Sequence, residues 1–211
     1  MKNFLASIAF VLIAFNADPA AAINIAGINF DENAFADELV SYTGSFNTWS
    51  GQLEEALTDK NAASFAYSWS PGSFVQLQFT DNKVVNGDGD DLALFELNVP
   101  DSFAIYLTPD GKSITGKTVY TGLKIDGRSL NIATFDLSDF GLNPGEMITE
   151  LYISTELNTL TTAPSLSLVG AINSSSIPEP EMPSLFGLLL LILVFSHHRK
   201  QNKLYQALQN H

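Results

Sequence analysis

From Phe74 to Phe79 the chain alternates, with Val75, Leu77 and Phe79 apolar and Gln76 and Gln78 polar. That period of two is the mark of a half-buried strand, and it follows the turn residues Ser70-Pro71-Gly72. Phe103, Ile105 and Leu107 repeat the pattern ahead of a second turn, Pro109-Asp110-Gly111. The run from Leu92 to Leu97 is mostly apolar instead, which predicts a central strand. Leu39-Val40 and Tyr42 predict a first strand, and further strands are expected at Ser113 to Leu123, Leu130 to Leu137, Ile148 to Ser154 and Ser165 to Ile172. Each is bounded by Gly, Pro, Asn or Asp, the residues of turns. Only Trp49 to Lys60 reads as a short helix, with Leu53, Ala56 and Leu57 at helical spacing on one side. Short strands at this spacing predict an all-β fold, an antiparallel two-sheet sandwich.

The two ends of the chain break this pattern. Lys2 precedes an apolar core from Phe4 to Phe15, and Ala20-Ala21-Ala22 supplies the small residues that a signal peptidase cuts after, so residues 1–22 read as a secretory signal helix. The sandwich is expected over 23–173. Residues 174–184, beginning with Ser174 to Ser176, are expected as a flexible linker. Within the linker Pro178 and Pro180 hold the backbone extended and leave the Glu179 peptide accessible to a processing enzyme. An uncharged, Leu-rich run over 185–196 follows, expected as a single transmembrane helix, although it is short against the roughly 20 residues of a full span. His197, His198, Arg199 and Lys200 come next, a basic cluster that stays cytoplasmic and places the sandwich outside.

Motif, span and basic cluster, in that order, resemble the PEP-CTERM sorting tail of Gram-negative bacteria. The resemblance implies that the membrane protease exosortase acts on Pro178-Glu179-Pro180, with Arg199 and Lys200 as the basic anchor. It implies an inner-membrane precursor that is then moved to the cell surface or extracellular matrix. An ordinary single-pass anchor is the other reading, and Gln201 to His211, which extend past the basic cluster, fit it.

Charge and composition narrow the chemistry. Of the 23 Asp+Glu and 10 Lys+Arg, 20 and 6 lie between Ile23 and Ile177, a net charge of −14 for that stretch. Such a surface repels nucleic acid and anionic lipid and favours divalent cations. The chain has no cysteine, and its three histidines all follow the apolar run. A Ser-His-Asp triad, a Cys-His dyad, a His-ligated zinc centre and a thiol redox centre each need a residue type that the sandwich lacks. A pair of carboxylates needs only Asp and Glu. The expectation is a domain that is not an enzyme and has no catalytic residues, with a carboxylate-based, glycan-active hydrolase as the alternative.

The middle of the chain carries a second resemblance. VQLQFTDNKVVNGDGDDLALFEL, followed by a strand ending in TPDGK, resembles the core of bacterial surface sandwiches that precede this sorting tail. FADELVSYT and LSLVGAIN match that family's first and last strands, with Leu168 where the family carries Asp. The resemblance implies a jelly-roll-like, galactose-binding-type sandwich.

Two groups of residues are candidate sites. Asn86, Asp88, Asp90 and Asp91, with Glu96 reaching back from the next strand, offer hard oxygen ligands in one tight loop, as Ca²⁺ requires. Asp91 stands where an EF-hand loop needs Gly and Leu97 where it needs Glu, so the loop is not an EF-hand. A solvated hairpin turn, in which Asp and Gly serve backbone geometry, is the other reading. Trp49, Tyr67 and Trp69 include both tryptophans of the chain and are the candidates for stacking on sugar rings. Equally, Tyr67 and Trp69 fit a place in the core. Together these readings lead to a secreted, exosortase-sorted surface or matrix protein with an adhesive or structural role, acting through binding of extracellular polysaccharide.

Overall fold

The computed structural model describes residues 22–155 and 162–177. The signal segment up to Ala21, the Pro178-Glu179-Pro180 motif, the apolar run 185–196 and Arg199 and Lys200 lie outside the described residues. Among those described, no helix is long and apolar enough to cross a membrane.

The described chain is almost wholly antiparallel β-structure, as the alternation predicts. Two strands, Ile23–Ile25 (β1) and Ile28–Phe30 (β2), form a hairpin. In chain order there follow Glu38–Thr43 (β3), Asn47–Trp49 (β4), the helix Leu53–Thr58 (α1), Phe65–Tyr67 (β5), Phe74–Gln78 (β6), Asn82–Val85 (β7), Leu92–Leu97 (β8) and Ser102–Tyr106 (β9). The second half holds Ser113–Lys117 (β10), Val119–Ile125 (β11), Arg128–Phe135 (β12), Met147–Ile148 (β13), Glu150–Thr155 (β14), Ser165–Ala171 (β15) and Ser174–Ser176 (β16). Five strands form one sheet in the order β10-β9-β14-β6-β3, and six form the other in the order β11-β12-β8-β15-β5-β4. A small third sheet, β13-β7-β16, closes one end.

Register shows which face of the six-stranded sheet meets the other. Leu92, Leu94 and Glu96 of β8 stand opposite Phe135, Ala133 and Asn131 of β12, so these six share a face. A Cβ placed on Gly116 of β10 would lie 2.5 Å from the Phe135 ring, which shows how closely the five-stranded sheet approaches that face. The opposite, outer face carries Ala93, Phe95 and Leu97. Phe30 of the N-terminal hairpin packs edge-on against Phe95 there, with centroids 5.8 Å apart, and Phe30 and Phe35 together crowd Gly170 of β15. Hence β8 is buried along its whole length, which accounts for its unbroken apolar run.

Several expectations shift in detail. The single strand expected from Ser113 to Leu123 is two strands in different sheets, because the chain crosses between layers at the buried Thr118. Just before the acidic loop, Asn82–Val85 form the unexpected strand β7, whose Asn82 and Val84 are buried. Ser174–Ser176, expected as linker, pair with β7 instead, since that strand is otherwise left with an open ladder on one side. The helix is confined to Leu53–Thr58, with Ala56 and Leu57 buried as its spacing predicts.

Asp91, at the head of β8, is fully buried and fastens three segments. Its Oδ1 accepts hydrogen bonds from Gly87 N at 2.8 Å and Asn173 Nδ2 at 2.7 Å, and its Oδ2 accepts from Leu137 N at 2.9 Å. Truncation would leave all three donors without their acceptor, the Leu137 N–H in a buried position. Asp91→Ala should therefore cost at least about 3 kcal/mol in urea unfolding with chelator present. Asp88→Ala, on the exposed crest of the same turn, should stay within about 0.5 kcal/mol under those conditions.

Candidate functional site

The three aromatics singled out in the sequence line one groove of about 420 Å³. Its wall is a ladder of strand ends. Trp49 of β4 pairs with Phe65 of β5, and Tyr67 of β5 pairs with Ser165 of β15, so alternate residues of β5 turn the same way. The Trp49 and Phe65 rings lie parallel, 6.1 Å between centroids and 5° between planes, and Tyr67 leans on Phe65 at 6.2 Å. Tyr67 is half-buried, while Trp49 is 53% exposed and Trp69 50% exposed.

Trp69 follows the end of β5 and is set by its neighbours. The buried Ser68 hydroxyl donates to Ser45 O at 2.7 Å and accepts from Ser70 N at 3.0 Å. That pins the bend leading into Ser70-Pro71-Gly72 and leaves the indole outside. The core reading of Tyr67 and Trp69 therefore does not describe Trp69.

Arg128 completes the groove, and sequence reasoning missed it. Its Cζ lies 4.0 Å from the Trp49 ring centroid and 5.5 Å from that of Phe65. The strand hairpin β11–β12 delivers it: Asp126 and Gly127 both take positive φ, 49° and 79°, forming the two-residue turn that Asp-Gly favours. Arg128 is the first residue past that turn and the only arginine between Ile23 and Ile177. Asp-Gly between two strand-like runs is the signal that could have located it. Asn98 and Asp101, from the β8–β9 connection, also line the groove, and the Asp101 Oδ1 accepts a 2.7 Å hydrogen bond from the Thr162 hydroxyl.

The five proposed metal ligands are not brought together. Asp91 turns inward and engages both oxygens with N–H donors. Asn86 is buried and donates from Nδ2 to Leu142 O at 2.8 Å. Asp90 accepts a hydrogen bond from Thr134 on the next strand over, and Asp88 is alone on the exposed turn. Glu96 is at the far end of β8, about 16 Å from Asp91 by the rise of a strand. Among the described residues no group of three or more His, Cys, Asp or Glu converges as a metal centre. The donor set does not fit Ca²⁺.

Glu96 instead sits at the inner side of the sheet, fully buried. Its Oε2 accepts hydrogen bonds from Asp101 N at 2.9 Å and from the Thr118 hydroxyl, and its Oε1 accepts from Ser165 N at 3.3 Å. In the ladder Glu96 stands opposite Leu166, which stands opposite Ala66. Tyr67 and Ser165, the neighbours of Ala66 and Leu166, turn to the groove, so the sheet lies between the Glu96 carboxyl and the groove. Burial pushes that carboxyl up to about 7, against the pull of the Thr118, Asp101 and Ser165 donors, which favour the ionised form.

No protein-family model matches the chain, and no curated protein matches it. Among solved structures it is similar to the Agl-KA catalytic domain, with a TM-score of 0.36 and 14% identity over 70% of this chain and 29% of that one. It is similar also to the catalytic domain of a GH87 alpha-1,3-glucanase in complex with nigerose, with a TM-score of 0.37 and 14% identity over 71% and 30% of the two chains. The chain thus spans about three tenths of the length of these solved chains. Both solved chains are catalytic domains, whereas the sequence reading expected a domain that is not an enzyme.

The raised Glu96 sets a pH dependence whose sign is fixed. Unfolded, the carboxyl titrates near 4.5; folded, near 7. Between those values the native state holds a proton that the unfolded chain has released, so stability falls as pH rises. From pH 6 to pH 8 the loss should be about 1.4 kcal/mol in urea unfolding. Glu96→Gln, neutral throughout, should flatten that slope, and an unchanged slope would show that another group carries it.

Proposed function

We propose that this chain is an exported surface protein whose sandwich engages a glycan in the groove of Trp49, Tyr67 and Trp69. One observation carries the reading. Three aromatics separated in sequence by up to twenty positions share one groove, and two of them are half in water where a core role would have buried them. Aromatic faces are the means by which a protein holds the apolar faces of sugar rings while polar neighbours take the hydroxyls. Asn98 and Asp101 are such neighbours.

Delivery by the sorting tail belongs to the same proposal. Residues 1–22, ending in Ala20-Ala21-Ala22, support export through a signal peptidase, and the order of Pro178-Glu179-Pro180, the apolar run and Arg199-Lys200 supports membrane retention and then processing by an exosortase. The resemblance of VQLQFTDNKVVNGDGDDLALFEL to surface sandwiches supports a jelly-roll-like domain of the galactose-binding type. An adhesive or structural role at the surface or in the matrix follows from glycan engagement at an anchored domain.

Binding is tested by titrating the full chain with an array of bacterial and plant polysaccharides. Trp69→Ala should weaken the best ligand at least about tenfold, the cost of removing an aromatic anchor, with the melting temperature unchanged. Release of reducing ends in the same samples separates retention of the glycan from its cleavage. Equal affinity of wild type and variant would place binding elsewhere and sink the groove reading. For the tail, replacing Pro178 and Pro180 with Ala should leave the unprocessed chain in the inner membrane of an exosortase-bearing host, and normal maturation would remove the sorting reading.

A further inference from the structure

The one cation lining the groove among the described residues makes its chemistry more specific than aromatic stacking alone. The stretch from Ile23 to Ile177 carries 20 acidic residues, yet among the described residues none is paired with Arg128. A guanidinium is a planar fork of donors that matches an oxyanion with two parallel hydrogen bonds. Here its Cζ lies over the Trp49 ring, 4.0 Å from the centroid, and 5.5 Å from the centroid of Phe65, so the rings hold the cation by their faces. A guanidinium held over ring faces keeps N–H donors for an oxyanion, since the rings offer no oxygen acceptor. Trp49 is then the seat of the cation, and the half-exposed Trp69 is the surface left for a sugar ring.

Resting on the glycan reading above, we infer that the ligand is an anionic glycan whose acid group is held by Arg128 while a ring stacks on Trp69. The domain's net negative charge does not oppose this at short range. At physiological ionic strength the field of remote surface acids is screened within about 8 Å, whereas a direct guanidinium–oxyanion contact is not. Asp101, the one carboxylate lining the groove among the described residues, is nearly buried and accepts the Thr162 hydroxyl, so it is turned to a hydrogen-bond donor. A carboxylate on a hexuronate and a sulfate ester on a neutral sugar present the same chemistry to Arg128.

The test uses the full chain and three sets of oligosaccharides: uronates, the same uronates as neutral methyl esters, and sulfated neutral sugars. The free acid should bind at least about tenfold tighter than its ester. Arg128→Gln should abolish the preference and leave the ester's affinity in place, whereas Arg128→Lys, a point charge without the fork, should keep part of it. Trp69→Ala should weaken acid and ester alike. A preference for the sulfated set, lost in Arg128→Gln, keeps the anionic class and names sulfate as its source. Equal binding of acid and ester, or a preference that survives Arg128→Gln, overturns the inference; Trp69-dependent binding of the ester would then leave the glycan reading standing. No Trp69-dependent binding in any set overturns both.

Discussion

Strand β8 is covered on both faces, and the carboxylates that bracket it hold the places where the chain changes layer. Asp91 at its head gathers the Gly87 turn, the corner at Leu137 and the end of β15 through Asn173. Glu96 near its foot gathers Asp101, where the chain passes from β8 to β9, and Thr118, where it passes from β10 to β11. The same Thr118 N–H donates to Asp101 O at 2.9 Å, so the two crossovers are bonded to each other as well as to the acid. Without a disulfide, a sandwich has only such bonds to fix where its connections lie. A buried acceptor with several N–H partners suits that task, because each donor left unpaired would carry the cost of its lost water.

This arrangement also shapes the groove. The β8–β9 connection that Glu96 fastens contributes Asn98 and Asp101 to the groove, and Ser165, another of its donors, contributes from β15. Glu96 thus acts on the site from behind the sheet. On the outer face the N-terminal hairpin covers Phe95 and Gly170 but does not extend to the ends of β4 and β5. The part left uncovered is lined by Trp49, Tyr67 and Trp69. Exposure of these rings is therefore a consequence of how far the hairpin reaches.

The sequence made the strands legible where one face is wet. Val75, Leu77 and Phe79 against Gln76 and Gln78 announced β6, and Leu92 to Leu97 announced a strand covered twice. It did not show where a strand ends one sheet and begins the next. Ser113 to Ile125 holds no Pro, and its crossing point is a threonine whose importance comes only from the buried acid opposite it. The acids were misread for a related reason. In a turn reading NGDGDD, a carboxylate that solvates, one that binds a cation and one that caps three buried N–H groups have the same letters. Burial distinguishes them, and burial depends on strands that arrive from residues 135 and 173. The aromatic site was legible from residue type alone, whereas Arg128 needed the Asp-Gly hairpin and the path of β12 to bring it across to Trp49.

The groove differs in rigidity from one end to the other. Trp49 and Tyr67 are on paired strands, with backbone bonds to β5 and β15, and their rings are braced by Phe65 and Arg128. Trp69 lies beyond the last ladder pair, held by Ser68 beneath it, with its indole half in water. Rings fixed before binding lose little conformational freedom when a ligand arrives, whereas a side chain on a bend must be ordered at that moment. The braced end, where the guanidinium sits, is therefore suited to select a ligand by the placement of one polar group. The Trp69 end is suited to accept rings of differing stereochemistry, because stacking asks only for an apolar face. Under the anionic-glycan proposal, a site built this way discriminates by charge more sharply than by sugar identity, since its rigid half reads the charge and its adaptable half reads the ring.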